Sequence, residues 1–350
     1  MKLFVLNLCL FVAFLSFASL PEDYYATLNG KQAAALKTEL HYIIMQDTTR
    51  YLAYGSGINH TWNGFYITDR DTTNNLILDM YSDALRYFPS NYIELKYPGF
   101  GKSLHIEHSL PKSWWGGHEW AAYKDLNHLY PSDGSTNTSK SNNPLGVVTG
   151  KIKKNNGVSK IGTATYDGYS GNVFEPADEY KGDFARTYFY MATAYEHYKN
   201  IWDTSNPKNM MQNNTYPVFK QWAINLLLEW HRQDPVSTKE IIRNEKVYSI
   251  QGNRNPFIDY PELAEYIWGN NINDTWYIKT LDDIPTNDKS DFKLNLSDSS
   301  FIITSEIQTP ITYTDYTSTG QLEAQEQTFT NTGKNFFKKL KRIICWWKAR

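Results

Sequence analysis

The stretch that decides the fold is His105–Val148, HIEHSLPKSWWGGHEWAAYKDLNHLYPSDGSTNTSKSNNPLGVV. Glu107 stands directly before His108, and Pro111 with Trp114 and Trp115 ends any strand begun there. About thirty residues on, a run of small polar residues carries Asn137, Asn142 and Asn143. Adjacent residues of a strand face opposite sides, so Glu107 and His108 are expected to do separate jobs. A hard cation such as Mg²⁺ takes oxygen ligands and keeps several waters, so one carboxylate and one asparagine amide suffice as its protein ligands. Histidine accepts a proton near neutral pH. Carboxylate, amide and imidazole together suit metal-assisted attack of water on a phosphodiester. A bare Glu-His pair carries little by itself; the ordered pattern around it carries the reading.

Working outward, the segment Trp62–Asp71, WNGFYITDRD, reads as a strand running into a turn. LILDMYSD at 76–83 reads as another strand, whose Asp79 is open to a catalytic role beside the plainer one of orienting or capping. Leu104–Ser109 is expected to be a strand, and DLNHLYP at 125–131 a second, with a loop delivering Asn137 to a helix start. Upstream, Gly30 precedes apolar residues at helical spacing (Ala34, Leu36, Leu40, Ile43, Ile44), one amphipathic helix. Tyr24 and Tyr25 read as packing, as do His118 and His128, although His128 is close enough to the motif to position a phosphate. His105 and His108 are three apart, which on a strand sends them opposite ways and argues against a zinc pair.

The pieces EHSLPKSWW at 107–115, DLNHLYPSDG at 125–134 and N-x-x-K-S-N-x-P at 137–144 resemble the bacterial endonuclease I family, secreted or periplasmic nucleases of the ββα-metal (His-Me finger) type. FEPADEYKGDFARTYFYM at 174–191 matches a second signature, and WHRQDPVS, RNE and QGNRNPFIDYPEL at 230–263 are family-like as well. The resemblance spans 24–269 and implies an α+β fold, a ββα-metal core surrounded by helices. It implies that Glu107 and Asn137 hold the metal, Mg²⁺ or another hard divalent cation, and that His108 is the general base. It further implies an endonuclease of little sequence specificity acting on DNA, with RNA open as a second substrate, leaving 5′-phosphate and 3′-hydroxyl ends. Lys140, Arg186 and Arg254 are the candidate phosphate contacts; for Arg186 an ion pair with Glu175 or Asp183 is an equal alternative. Four positions depart from common family forms. His105 replaces asparagine, and Ile106, Lys140 and Ala194 replace arginine; at 140 the charge is kept and the planar fork lost.

Composition sets bounds. The 350 residues are 41% hydrophobic and 21% charged, ordinary for a globular chain. Net charge is −2, without the basic balance usual in nucleic-acid binders, so any phosphate-binding face must be local. Lys151, Lys153 and Lys154 form the best such patch, against the plainer reading of a solvated loop. Met1-Lys2 followed by LFVLNLCLFVAFLSFA reads as a secretory signal peptide over 1–19, implying a secreted or periplasmic protein. Cleavage would leave Cys345 as the sole cysteine, which excludes an internal disulfide and thiolate zinc sites. The nuclease-like domain is assigned to 20–270 and a β-rich appendage, resembling a sorting domain, to 271–350. Its end, KNFFKKLKRIICWWKAR, reads as a short basic helix able to meet a membrane surface or the secretion machinery. No stable protein partner is indicated. The rival readings are a secreted nucleic-acid-binding protein whose active site has lapsed, and a phosphodiesterase for small substrates.

Overall fold

The computed structural model describes residues 23–46, 50–89, 103–202, 205–206 and 208–278, and the backbone of five later strands between 292 and 338. The expected signal peptide at 1–19 lies outside the described residues. The architecture is mixed helix and small sheets, as expected of an α+β chain.

Helix α1 (Ala33–Gln46) buries Leu36, Leu40, Ile43 and Ile44, the stripe its spacing predicts; Ala34 stays exposed. The next element corrects an expectation. Residues 61–68 form helix α2 (Thr61–Thr68) and not a strand. Thr61, Trp62, Gly64, Phe65 and Thr68 are its buried residues, a three-to-four repeat hidden beneath β-favouring side chains. The strand expected at 76–83 is also absent, with only isolated bridges at Leu76 and Ile77. Asp79 accounts for the break. Its carboxylate accepts the Tyr81 N–H and the Ser82 hydroxyl, a local turn that competes with a sheet ladder.

Strand β1 (Leu104–His108) pairs antiparallel with β2 (Leu129–Asp133), Glu107 opposite Tyr130 and His108 opposite Leu129. Between them lies the short helix α3 (Ala121–Lys124). The second strand falls later than expected because residues 125–128 form a turn around Asp125, whose Oδ1 accepts the Asn127 N–H at 2.9 Å. Helix α4 (Gly134–Lys140) follows β2 directly, N-capped by Asp133, whose side chain accepts the Thr136 N–H.

A three-stranded antiparallel sheet comes next: β3 (Ile152–Asn155), β4 (Lys160–Tyr166) and β5 (Tyr169–Glu175), with β3 at an edge. The β4–β5 turn is Asp167-Gly168, with Gly168 at φ +90°, the two-residue chemistry that hairpins favour. Helix α5 (Lys181–Ala194) is buried along its whole length, as a helix at the centre of a helical layer must be. It packs against α1, α6 (Gln221–Gln233) and α8 (Pro256–Asp259). Helix α7 (Thr238–Gln251) starts on a capping box of Ser237 and Glu240 and stops at Gly252, φ +86°. Helix α9 (Leu263–Trp268) completes the set.

Further on, β6 (Phe292–Ser297), β7 (Ser300–Ser305) and β10 (Asn335–Lys338) form one antiparallel sheet in the order β10-β7-β6. Strands β8 (Pro310–Tyr316) and β9 (Leu322–Phe329) form a hairpin. Residues 335–338 are thus extended where the tail was expected to be helical; residues 339–350 lie outside the described residues.

Candidate active site

An open cleft of about 370 Å³ is lined by Tyr54, Ile106, Glu107, His108, Pro111, Lys112, Ser113, Asn137, Ser141 and Asn142. The three residues singled out for chemistry therefore meet. Glu107 and His108 come from the end of β1 and Asn137 from α4, which β2 returns to the same place. Opposite facing does not keep Glu107 and His108 apart. His108 is the last residue of β1, and the chain turns through Ser109 to Pro111, so both reach one cleft.

His108 Nε2 lies 3.1 Å from the backbone carbonyl of Tyr123. A carbonyl only accepts, so Nε2 carries the proton, and in the neutral ring Nδ1 is left as the acceptor. Burial holds the imidazole well below its ordinary pKa and nearby His128 adds to this, while the Tyr123 carbonyl opposes. The ring is therefore neutral at neutral pH, the state a base must have. Tyr54 stacks on it, ring centroids 5.5 Å apart and planes 19° from parallel, and also touches Tyr123 at 4.5 Å.

The carbonyl that fixes His108 is itself fixed. Asp125, two residues on, accepts from the Tyr190 and Tyr195 hydroxyls at 2.6 and 2.7 Å and from Gln251 at 2.9 Å. Gln251 takes the Leu126 N–H at 2.7 Å, and Asn253 takes the Asn127 amide at 3.2 Å. The QGN run at 251–253 thus anchors the loop that orients His108. His128 lies in the same layer, its Nε2 on the Ala122 carbonyl and its pKa brought down to about 4, chiefly by burial.

Glu107 is buried, and burial raises its carboxyl pKa; the Lys140 ammonium is the main opposing influence. Lys140 Nζ donates to Glu107 Oε1 at 2.6 Å and to the Ser109 carbonyl at 3.1 Å. Tyr188 of α5 donates to that carbonyl too, at 2.9 Å, pinning the end of β1 to the central helix. Asn137 is half-buried, and among the described residues no side chain or backbone group holds its amide. A carboxylate and an uncommitted amide on one cleft wall are oxygen donors of the kind a hard divalent ion accepts. Among the described residues no group of three His, Cys, Asp or Glu is placed to hold a metal ion, and a hard cation on two protein donors would keep several waters.

The other sequence candidates sit elsewhere. Lys140 is fully buried under Glu107, where its charge serves the carboxylate. Arg186 is fully buried outside the cleft, with Nε and Nη2 on Glu240 at 2.6 and 2.8 Å and Nη1 on the Asp234 carbonyl at 2.8 Å. Its partner is Glu240, neither Glu175 nor Asp183. Arg254 is likewise buried, paired with Asp259 at 2.6 Å and Glu245 at 2.7 Å. Asp79 reaches the site only through the backbone, accepting the Asp133 N–H at 2.8 Å at the start of α4. Sequence reasoning missed Tyr54 and Lys112. Lys112 had a readable signal, a cation inside the motif, whereas Tyr54 lies on an irregular segment with no periodicity to mark it.

The endonuclease I family profile matches residues 32–262. An extracellular ribonuclease of Bacillus amyloliquefaciens is 36% identical over 252 residues, covering 71% of this chain and 78% of that protein. An extracellular ribonuclease of Bacillus subtilis (strain 168) is 33% identical over 260 residues with the same coverage. Endonuclease-1 of Buchnera aphidicola subsp. Acyrthosiphon pisum is 26% identical over 171 residues, 43% of this chain and 58% of that one. The matched region contains β1, β2, α4 and the whole cleft they build, and the chain belongs to the endonuclease I family of nucleases.

Proposed function

We propose that this nuclease is a metal-dependent endonuclease that hydrolyses phosphodiester bonds with little regard to sequence, and that β1, β2 and α4 are its ββα-metal core. One observation carries the reading: a neutral histidine, oriented by a fixed carbonyl, shares a cleft with a buried carboxylate and an uncommitted amide.

His108 Nδ1 takes a proton from water as the oxygen attacks phosphorus, worth roughly 10²–10⁴-fold in rate. The Tyr123 carbonyl holds the Nε2 proton throughout, so the ring acts from one tautomer and the developing imidazolium keeps a hydrogen-bond acceptor. Glu107 and Asn137 would hold the Mg²⁺, which when bound supplies charge neutralisation at the phosphate and favours departure of the 3′ oxygen. Lys140 keeps Glu107 ionised against its burial. The P–O bond to water forms as the bond to the 3′ oxygen breaks, giving 5′-phosphate and 3′-hydroxyl ends.

RNA stands beside DNA as substrate. Two relatives carry the name extracellular ribonuclease and a third the name endonuclease-1. The word extracellular in the first two names agrees with export, for which residues 1–19 would be the signal. Among the described residues no helix is long and apolar enough to cross a membrane.

Digestion of supercoiled plasmid and of RNA, with Mg²⁺ or with EDTA, tests the reading alongside His108→Ala. Cutting in Mg²⁺, none in EDTA, and a loss of about 10²–10⁴-fold in the variant are expected. Binding without cleavage under every divalent ion tried would instead assign a lapsed enzyme. Undiminished cutting by His108→Ala would leave the class standing and remove the base.

A further inference from the structure

Many cations of the described residues are matched to carboxylates. Lys140 pairs with Glu107, Lys160 and Lys181 with Glu175, Lys239 with Asp183, and Arg243 with Asp69. The segment 151–154, entering and forming β3, differs. Lys151, Lys153 and Lys154 are exposed, and among the described residues none of them is in an ion pair. The register of β3 against β4 slips between Ile152 and Lys154, a bulge that breaks strict alternation and re-aims side chains. Lys154 Nζ donates to Ser139 Oγ at 2.6 Å, which ties the strand to α4, the helix carrying Asn137. Two further lysines lie at the cleft: Lys112 lines it, and Lys208 Nζ donates to cleft-lining Asn142 at 3.1 Å. In a chain of net charge −2, these lysines without a carboxylate partner are concentrated near the cleft, by α4 and at the edge of the sheet.

We propose that β3 and the residue before it, through Lys151, Lys153 and Lys154, form a phosphate-tracking site holding the backbone of a polynucleotide strand beyond the scissile position. This rests on the nuclease reading and deepens it, because it makes a polymer the substrate and a small diester a poor one. Phosphate contacts of this kind position a strand without reading its sequence. Lysine on an edge strand has a second use, since it deters edge-to-edge pairing. Glutamine keeps a polar side chain at the edge and removes only the charge, so it separates the two roles.

The test compares the full chain with Lys151→Gln/Lys153→Gln/Lys154→Gln, both in a His108→Ala background so that the probe survives. Binding of a fluorescent single-stranded oligonucleotide is followed by anisotropy over a salt series. Three lost contacts should lower the magnitude of the slope of log K against log salt by about 2. With His108 intact, turnover of bis(p-nitrophenyl) phosphate should be unchanged by the triple substitution while cleavage of polymer falls at least tenfold. An unchanged salt slope would overturn the proposal. So would an equal loss on small diester and polymer, which would make the effect one of the cleft itself. A lowered slope in a protein that hydrolyses neither substrate would sustain the phosphate track and sink the nuclease reading.

Discussion

Replacing Lys140 with methionine isolates the charge beneath the cleft while nearly preserving the side-chain volume. Its ammonium sits 2.6 Å from Glu107 Oε1, with the lysine side chain fully buried and that of Glu107 7% exposed. Removing one partner of a buried pair leaves an uncompensated charge and costs about 3–5 kcal/mol. Glu107 borders an open cleft and gains some water, so a loss near the lower bound, about 3 kcal/mol, is expected. For a region of this size that lowers the thermal midpoint by roughly 6–12 °C. The sign with pH follows from linkage. Without Lys140 the folded-state pKa of Glu107, already raised by burial, rises further above its unfolded value. The variant should recover stability below about pH 4 and lose it as pH rises through the raised folded value. Two further measurements separate this account from a general packing defect. Lys140→Met/Glu107→Gln should regain most of the loss, because no buried charge then lacks a partner. Mg²⁺ should stabilise Lys140→Met more than the parent, since a cation held by Glu107 replaces the missing ammonium. Calorimetry and urea titration at pH 4 and pH 8 measure all of these. A loss under about 1 kcal/mol, or a double variant as weak as the single one, would refute the reasoning.

Three other outcomes are expected. Arg186→Met should lose about 3–5 kcal/mol in urea titration by stranding Glu240, with the salt slope of oligonucleotide binding unmoved; a slope lower by about one at normal stability would return Arg186 to the substrate. Burial pushes the Asp183 carboxyl up to about 7, with Glu240 adding and Lys239 opposing. The stability this group contributes is thus fully present below about pH 4 and lost as pH rises toward 7. Asp183→Asn should flatten that fall, by about 4 kcal/mol in pH-dependent unfolding. Tyr54→Leu should lower kcat about tenfold at nearly constant KM by loosening His108, whereas Tyr54→Phe keeps the ring and should keep the rate; equal losses in both variants would mean that the hydroxyl matters and not the stacking.

The meeting of Glu107, His108 and Asn137 was legible because the chemistry needs those residue types and the chain that joins them is short. β1, β2 and α4 are successive parts of one hairpin and helix, so sequence order nearly determines spatial order. Helix α1 was legible for a similar reason, its buried stripe being purely local. The strand expected at 62–71 failed where composition and period disagree: Trp, Phe, Tyr and Ile favour strands, but the buried positions repeat at helical spacing and tertiary packing decides. Tyr54 could not be found, since it comes to His108 from more than fifty residues away on a segment without regular structure.

The cations teach a different lesson. A sequence displays charge and hides burial, so Lys140, Arg186 and Arg254 look like phosphate contacts until their depth is known. Each instead lies in the interior against a carboxylate. Arg186 joins α5 to α7, Arg254 closes the turn into α8, and Lys140 joins α4 to β1. These pairs hold the elements that place Glu107, His108 and Asn137, and their charges cancel locally. Among the described residues, the lysines at 151–154 and at the cleft have no such carboxylate partner and stay available to a polyanion. Net charge near zero is therefore compatible with a nucleic-acid substrate: affinity follows where positive charge is left uncompensated, and one such lysine, Lys154, is tied to the helix that carries Asn137.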